Sequence, residues 1–343
     1  MALHVSVGFV LALLVLALAA PAPAATRTWG GGGGDNNAST PGNWVGGVAP
    51  SNGDDIVLDA TSSKNMTWDA AAPSNVASWT QVSYQGTATV ATVYLEAGQG
   101  TFTNFIIAGN CAISNGVWTH LSNAGASDRR WYRLRVTVGG DFILGSNAAI
   151  TAVGIGYRAQ SGPGYPGSHG GQLAQTYVSS LAAANTYGSV TAPIEPGSGG
   201  YWGGSNDADG GGAVHVVVAG TATIVGTINV RAKNSGAANG AGGSIFGVAG
   251  SVSGSGTLDA CAVQGSVGGG GGRIAIVATN SASWGSVVLK AYGGPSGPGA
   301  AGTIYKESTA HTPGRGILVI DNNNYADVNL LHPETLPVGE YGQ

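Results

Sequence analysis

Apolar and polar residues alternate one for one through much of the second half of this 343-residue chain, and the alternating runs recur at a fixed interval. GGAVHVVVAG begins at Gly211, GGSIFGVAG at Gly242, GGRIAIVA at Gly271 and AGTIYKE at Ala301, in steps of 31, 29 and 30 residues. A second anchor moves with the first: Gly226-Thr227-Ile228, Gly256-Thr257-Leu258 and Gly285-Ser286-Val287. Alternation at period two predicts strands. A repeat of roughly 20 to 50 residues predicts a solenoid, propeller or array, in which each unit buries its apolar face only by stacking on the next. The predicted fold is all-β: a right-handed parallel β-helix with coils of about 30 residues and an N-terminal β cap.

Set in register, the copies place Val214, Ile245, Ile274 and Ile304 in one inward ladder, and Ile228, Leu258 and Val287 in another. The outward ladders then read Asn229, Asp259, Val288 and Arg231, Cys261, Lys290. Lys306 occupies an inward position, so the regular stack is expected to end near it. An earlier coil, LRVTVGGDFILGSNAAI from Leu134 to Ile150, matches VHVVVAGTATIVGTI when Gly140 is set on Gly220 and two residues are added before Ile150. Leu134, Val136 and Val138 then face in, while Arg133 and Arg135 face out onto a strand face expected to be solvated. Residues 157–210 interrupt the repeat with Gly, Pro, Ser and Tyr and little alternation. A stretch of that length is either a functional loop or poorly ordered.

The first 25 residues read as a signal peptide: an apolar run from Val5 to Ala19, then small residues around Ala22-Pro23-Ala24 for cleavage. No other segment is apolar and long enough for a membrane-spanning helix. Residues 26–131 hold Trp29, Trp44, Trp68, Trp79, Trp118 and Trp131 and are expected to form the cap and irregular coils, with the indoles in the core rather than stacked on sugars. Residues 132–306 form the glycine-rich helix and 307–343 a C-terminal extension. Export would permit Cys111 and Cys261 to pair, but their separation along the stack predicts two isolated thiols.

Glycine supplies 61 residues and charged residues only 9%, yet the hydrophobic fraction is 43%, which is richer in apolar residues than a disordered chain. A net charge of −4 without a basic tract argues against nucleic acid as a partner.

TRTWGGGGGDNNASTPGNWVGGVAPSNGDDIVLDA, GSHGG at 167–171, YGSVTAPIEPGSGG at 187–200 and GGGAVHVVVAGTATIVGTINV at 210–230 together resemble bacterial exported glycine-rich β-solenoid repeat proteins, related in style to autotransporter passengers. The resemblance implies a surface or adhesive role, a secreted or outer-surface location and an extracellular glycan or cell-surface partner. It brings no catalytic residues. No C-terminal barrel, sorting helix or anchor is found in these residues, leaving either a secreted protein or the front part of a longer one.

No catalytic set and no cofactor motif emerges. Asp207 and Asp209, in SNDADGGG, have the alternating spacing of a Ca²⁺ loop but lack its downstream Glu, so Ca²⁺ is the metal to consider and a solvated turn the competing reading. His169, Tyr165, Tyr201 and Trp202, all within 157–210, are the candidate ligand-binding residues; Glu195 is the acid nearest to His169 in that stretch. Two functions are in contention: a structural or adhesive module that binds glycans through exposed loops, and a carbohydrate-active β-helix enzyme, either lyase or hydrolase. The latter needs several acidic or basic side chains converging on one face.

Overall fold

A computed structural model describes residues 24–95, 98, 100–123, 130–173, 185–201, 208–233, 236–263, 265–295 and 299–325. Residues 1–23, which fall within the segment expected to be a signal peptide, Trp202, Asp207 and residues 326–343 lie outside the described residues. The described chain is nearly all β, a solenoid of about 8 turns with coils of about 31 residues. The 3₁₀ turn Pro41–Asn43 is a short helical piece among the strands.

Each coil contributes a strand to three parallel columns. The first pairs Ile56, Trp79, Cys111, Phe142, Ala222 and Val252 in turn. The second pairs Met66, Ala88, Trp118, Ile150, Ile228, Leu258 and Leu289. The third pairs Val76, Ile107, Val138, Val218, Ala249 and Ala278. These residues point inward and are buried, except Leu289 at the end of its column, which packs partly buried against the core. Stacking equivalent positions joins the inward ladders into one continuous core from Trp29 to Ile304. Parallel pairing starts at Thr26–Thr28, so the Trp-rich region is built of the same coils as the glycine-rich one.

The ladder Val214, Ile245, Ile274, Ile304 stands as expected, and Leu134 pairs with Val214 as the earlier coil predicts. Ile150 pairs with Ile228, which confirms the two added residues. Val287 does not join Ile228 and Leu258. Leu289 does, because Thr257 pairs with Val288. The turn before that strand is two residues longer than in the coil below, and it is held by Ser281 and Ser283 hydroxyls and by Gly285 at φ +68°. The anchor Gly285-Ser286-Val287 therefore sits inside the turn, and Lys290 moves opposite Asp259. The stack ends where expected: Lys306 pairs with Ile276, and Ile317–Val319 closes that edge antiparallel to Thr303–Glu307.

In the N-terminal coils the core is aromatic. Trp29, Trp44, Trp68, Trp79 and Trp118 follow one another edge to face at 5.1–6.3 Å. They are buried, so they serve packing rather than sugar stacking. Gln81, itself fully buried, accepts from the Trp118 indole at 3.0 Å and donates to Asn115 O at 2.6 Å, which satisfies the polar atoms that this core would otherwise strand. Cys111 and Cys261 are free and buried.

The glycine run at 30–34 lies between the first and second columns, whereas the glycine-rich stretches of the repeat lie in one turn of the coil, between the second and third. There, extended glycine chains hydrogen-bond in several directions outside the pleated columns: Gly211 to Ala241, Gly242 to Gly270 and Gly271 to Ala300 between coils, and Gly197 to Gly211, Ala241 to Ser198, Gly270 to Gly167 and Gly171 to Gly271 to the long insertion. A Cβ at Gly242 would lie 1.8 Å from Ala260 O, so the approach excludes any side chain. The described parts of 157–210 are thus an ordered second layer on this glycine turn, not an exposed loop. Layering also changes the outlook of Arg133 and Arg135. They point away from the core as expected, but Arg133 is buried with its guanidinium 4.5 Å over the Tyr94 ring, and Arg135 is half-buried, so this face is covered rather than solvated.

Candidate functional site

The outward face of the third column carries one ladder of Ser244, Arg273 and Thr303 and a second of Phe246, Ala275 and Tyr305. Residues 185–201 close over it. Val190 packs on Ala275 and Tyr305, and Ser244 Oγ donates to Glu195 O at 2.5 Å. Arg273 is fully buried; its Nε donates to Tyr187 O at 2.8 Å and its Nη1 to Thr303 Oγ1 at 2.9 Å. Glu195 pairs with Arg130, and the Tyr94 hydroxyl donates to Ile194 O.

His169 lies inside this junction with no exposed surface. Its Nδ1 donates to Gly242 O at 2.8 Å and its ring lies 4.7 Å from that of Tyr187. Burial first, and the charge of Arg273 second, lower its pKa to about 3. The imidazole is neutral and fastens the insertion to a coil, so the expectation of a ligand-binding side chain in an exposed loop is corrected for His169. Asp209 is also buried, and its Oδ1 accepts from Ala159 N at 2.7 Å. It braces the insertion, and no group of three metal donors occurs among the described residues. Tyr165 is half-buried and Tyr201 is 43% exposed. Burial first, and Tyr201 second, raise the Tyr165 hydroxyl above its ordinary range, so these two phenols share a neighbourhood. Among the described residues the companions of His169 are Tyr187 and Arg273, with the Glu195 side chain near it across Gly188.

A cleft of about 390 Å³ opens instead on the outward face of the second column, near the end of the stack. Its floor follows from the corrected register. Asp259 and Lys290 stand opposite each other, and Arg231, Cys261 and Tyr292 each lie two residues further along their strands. The C-terminal extension builds the far wall with Asn323 and Tyr325. Asn322 pins that wall: its Oδ1 accepts from Gly293 N at 2.8 Å and its Nδ2 donates to Gly299 O at 3.0 Å. Tyr292 and Tyr325 meet edge to face at 6.3 Å.

The polar groups of the cleft are only partly engaged by the protein. Arg231 donates from Nη2 to Ala262 O at 3.2 Å and stands 3.8 Å from Asp259 Oδ2, while its buried Nε has no hydrogen-bond partner among the described residues. Asp259 Oδ1 accepts from Cys261 N at 2.9 Å. Burial, then the Asp259 charge, push the Cys261 thiol far above its ordinary pKa, so it is not a nucleophile here. Aromatic rings flanking hydrogen-bonding groups in a concavity of this size suit a small polar ligand with an apolar face.

Sequence reading missed this cleft for two reasons. A slip of two residues put Val288 beside Asp259 and parted Lys290 from it. The wall at 322–325 comes from a segment with no repeat to align. The available signal was the longer serine-rich turn at 281–286, whose extra residues shift every following position. Comparison with protein-family models, curated proteins and solved structures returns no match for this chain.

Proposed function

We propose that this protein is an exported, surface-exposed structural or adhesive β-solenoid that binds glycan. The apolar N-terminal run followed by small residues supports export, and the resemblance to glycine-rich autotransporter-like passengers supports a surface role. The observation that carries the binding reading is the cleft of Arg231, Asp259, Lys290, Tyr292 and Tyr325: a tyrosine pair beside charged groups matches the alternation of apolar ring face and hydroxyl edge on a sugar. A single carboxylate among the described lining residues supports binding over glycoside hydrolysis, which uses a pair.

A polysaccharide-binding screen of the purified protein, with and without Ca²⁺ and with released reducing or unsaturated ends assayed in the same wells, tests this reading. Binding without product, undiminished by chelator, is expected. Product release would replace the adhesive reading with the enzymatic one.

A further inference from the structure

Resting on the reading of the cleft as a glycan site, we infer that it selects a sugar residue bearing an acidic group. Three observations point there. Lys290 makes no ion pair or hydrogen bond among the described residues, although it faces Asp259 in register, and an ammonium offers three donors and no acceptor. Arg231 lines the cleft with its guanidinium held by a 3.2 Å bond to Ala262 O and a long 3.8 Å approach to Asp259, so its charge is only partly matched within the protein. Two cations against the one lining carboxylate leave the cleft with a surplus positive charge. Asp321 acts on Tyr292 from an exposed position outside the cleft lining, where its Oδ1 accepts from Asn323 N.

A ligand acid between Lys290 and Arg231 would accept from the Lys290 ammonium and lie against the charge of the Arg231 guanidinium, which lines the cleft. Asp259 keeps an oxygen free to accept from a neighbouring sugar hydroxyl, because its pairing with Arg231 is long at 3.8 Å. The ring face would then rest on one of the two tyrosines, with the edge of the other beside it. A neutral sugar would satisfy the tyrosines and Asp259 but leave the cations in water. The selectivity therefore resides in Lys290 and Arg231, and the affinity common to all sugars in the tyrosines.

Calorimetric titration of the purified protein with a hexameric oligogalacturonate, a sulfated oligosaccharide and a neutral oligogalactan of equal length tests this. Either acidic ligand is expected to bind about tenfold more tightly than the neutral one, with the preference removed by Lys290→Gln and weakened by raised salt. The carboxylated and sulfated arms identify which acid is preferred. Tyr325→Ala is expected to weaken all three, and unchanged melting of both variants shows that the fold is kept. Equal binding of acidic and neutral ligands, lost together in Tyr325→Ala, would overturn the acidic preference and leave the glycan reading intact. An acidic preference that survives Lys290→Gln would overturn its assignment to this cleft. Absence of binding here and throughout the wider screen would overturn both.

Discussion

Gly242→Ala is the sharpest probe of the glycine turn. The added Cβ would fall 1.8 Å from Ala260 O and 2.8 Å from Gly272 N, against an ordinary contact of 3.4 Å or more. Both neighbours are backbone, so no side chain can swing away. Relief requires the chains to part by about 1.5 Å. The bonds at stake are Gly242 N to Gly270 O at 3.1 Å and Gly272 N to Ala260 O at 2.8 Å. Losing two buried backbone hydrogen bonds at roughly 1–3 kcal/mol each gives about 4 kcal/mol. That is a large part of a typical stability of 5–15 kcal/mol and corresponds to a melting temperature lower by about 10 °C. Gly247→Ala is the control: it lies five residues on in the strand Ser244–Ser253, with no atom within 4 Å of the added Cβ. It is expected to change stability by less than about 1 kcal/mol, in the stabilising direction if at all. Circular dichroism melts of the two variants give the comparison, and hydrogen exchange locates the damage, expected at 260–272. Coincident melting curves for the two would refute the close-packed glycine layer.

Acid should weaken the fold through three histidines. His120, His169 and His215 are held at about 4, about 3 and about 4, in each case mainly by burial. The unfolded chain takes up their protons near pH 6.5 while the folded chain does not, so their contribution is fully present above that pH and is lost as pH falls below it. Between pH 7 and 5 each costs about 2 kcal/mol. Urea unfolding at the two pH values should show this fall, and His215→Phe, which keeps the ring stacked on Phe246, should retain about 2 kcal/mol more at pH 5. An unchanged pH slope in that variant would contradict the assignment. Arg273→Ala removes the bond to Tyr187 O that ties residues 185–201 to the coil, together with the bond to Thr303 in the next coil. It should cost about 3 kcal/mol and expose that segment to limited proteolysis, with the solenoid coils resisting; an unaltered digestion pattern would show that the insertion is held elsewhere.

The repeat was legible in the sequence because the residues that define it have a steric cause. In the Gly-Gly pair that opens each copy, the first glycine meets the coil that follows: Gly211 lies against Gly243 N, Gly242 against Gly272 N and Gly271 against Gly302 N. The second meets the coil before: Gly243 against Gly212 O, Gly272 against Gly243 O and Gly302 against Gly272 O. Ala301 stands at the first position of the last copy, where no described coil follows, and its methyl group has room. Gly302 still faces Gly272 and is still glycine. Strand alternation and the glycine pair thus report neighbours one coil away and survive in a single sequence as a period. The buried state of His169, the roof over Arg133 and the wall at Tyr325 depend on segments that do not repeat. Their contacts span 73 residues from His169 to Gly242 and 86 from Arg273 to Tyr187, with nothing periodic to align. The cleft falls between these cases: its floor is a ladder displaced by one longer turn, and its wall is a segment outside the repeat. A functional surface on a solenoid is therefore hardest to read where the repeat stops, which is also where neighbouring coils no longer dictate which side chains are allowed.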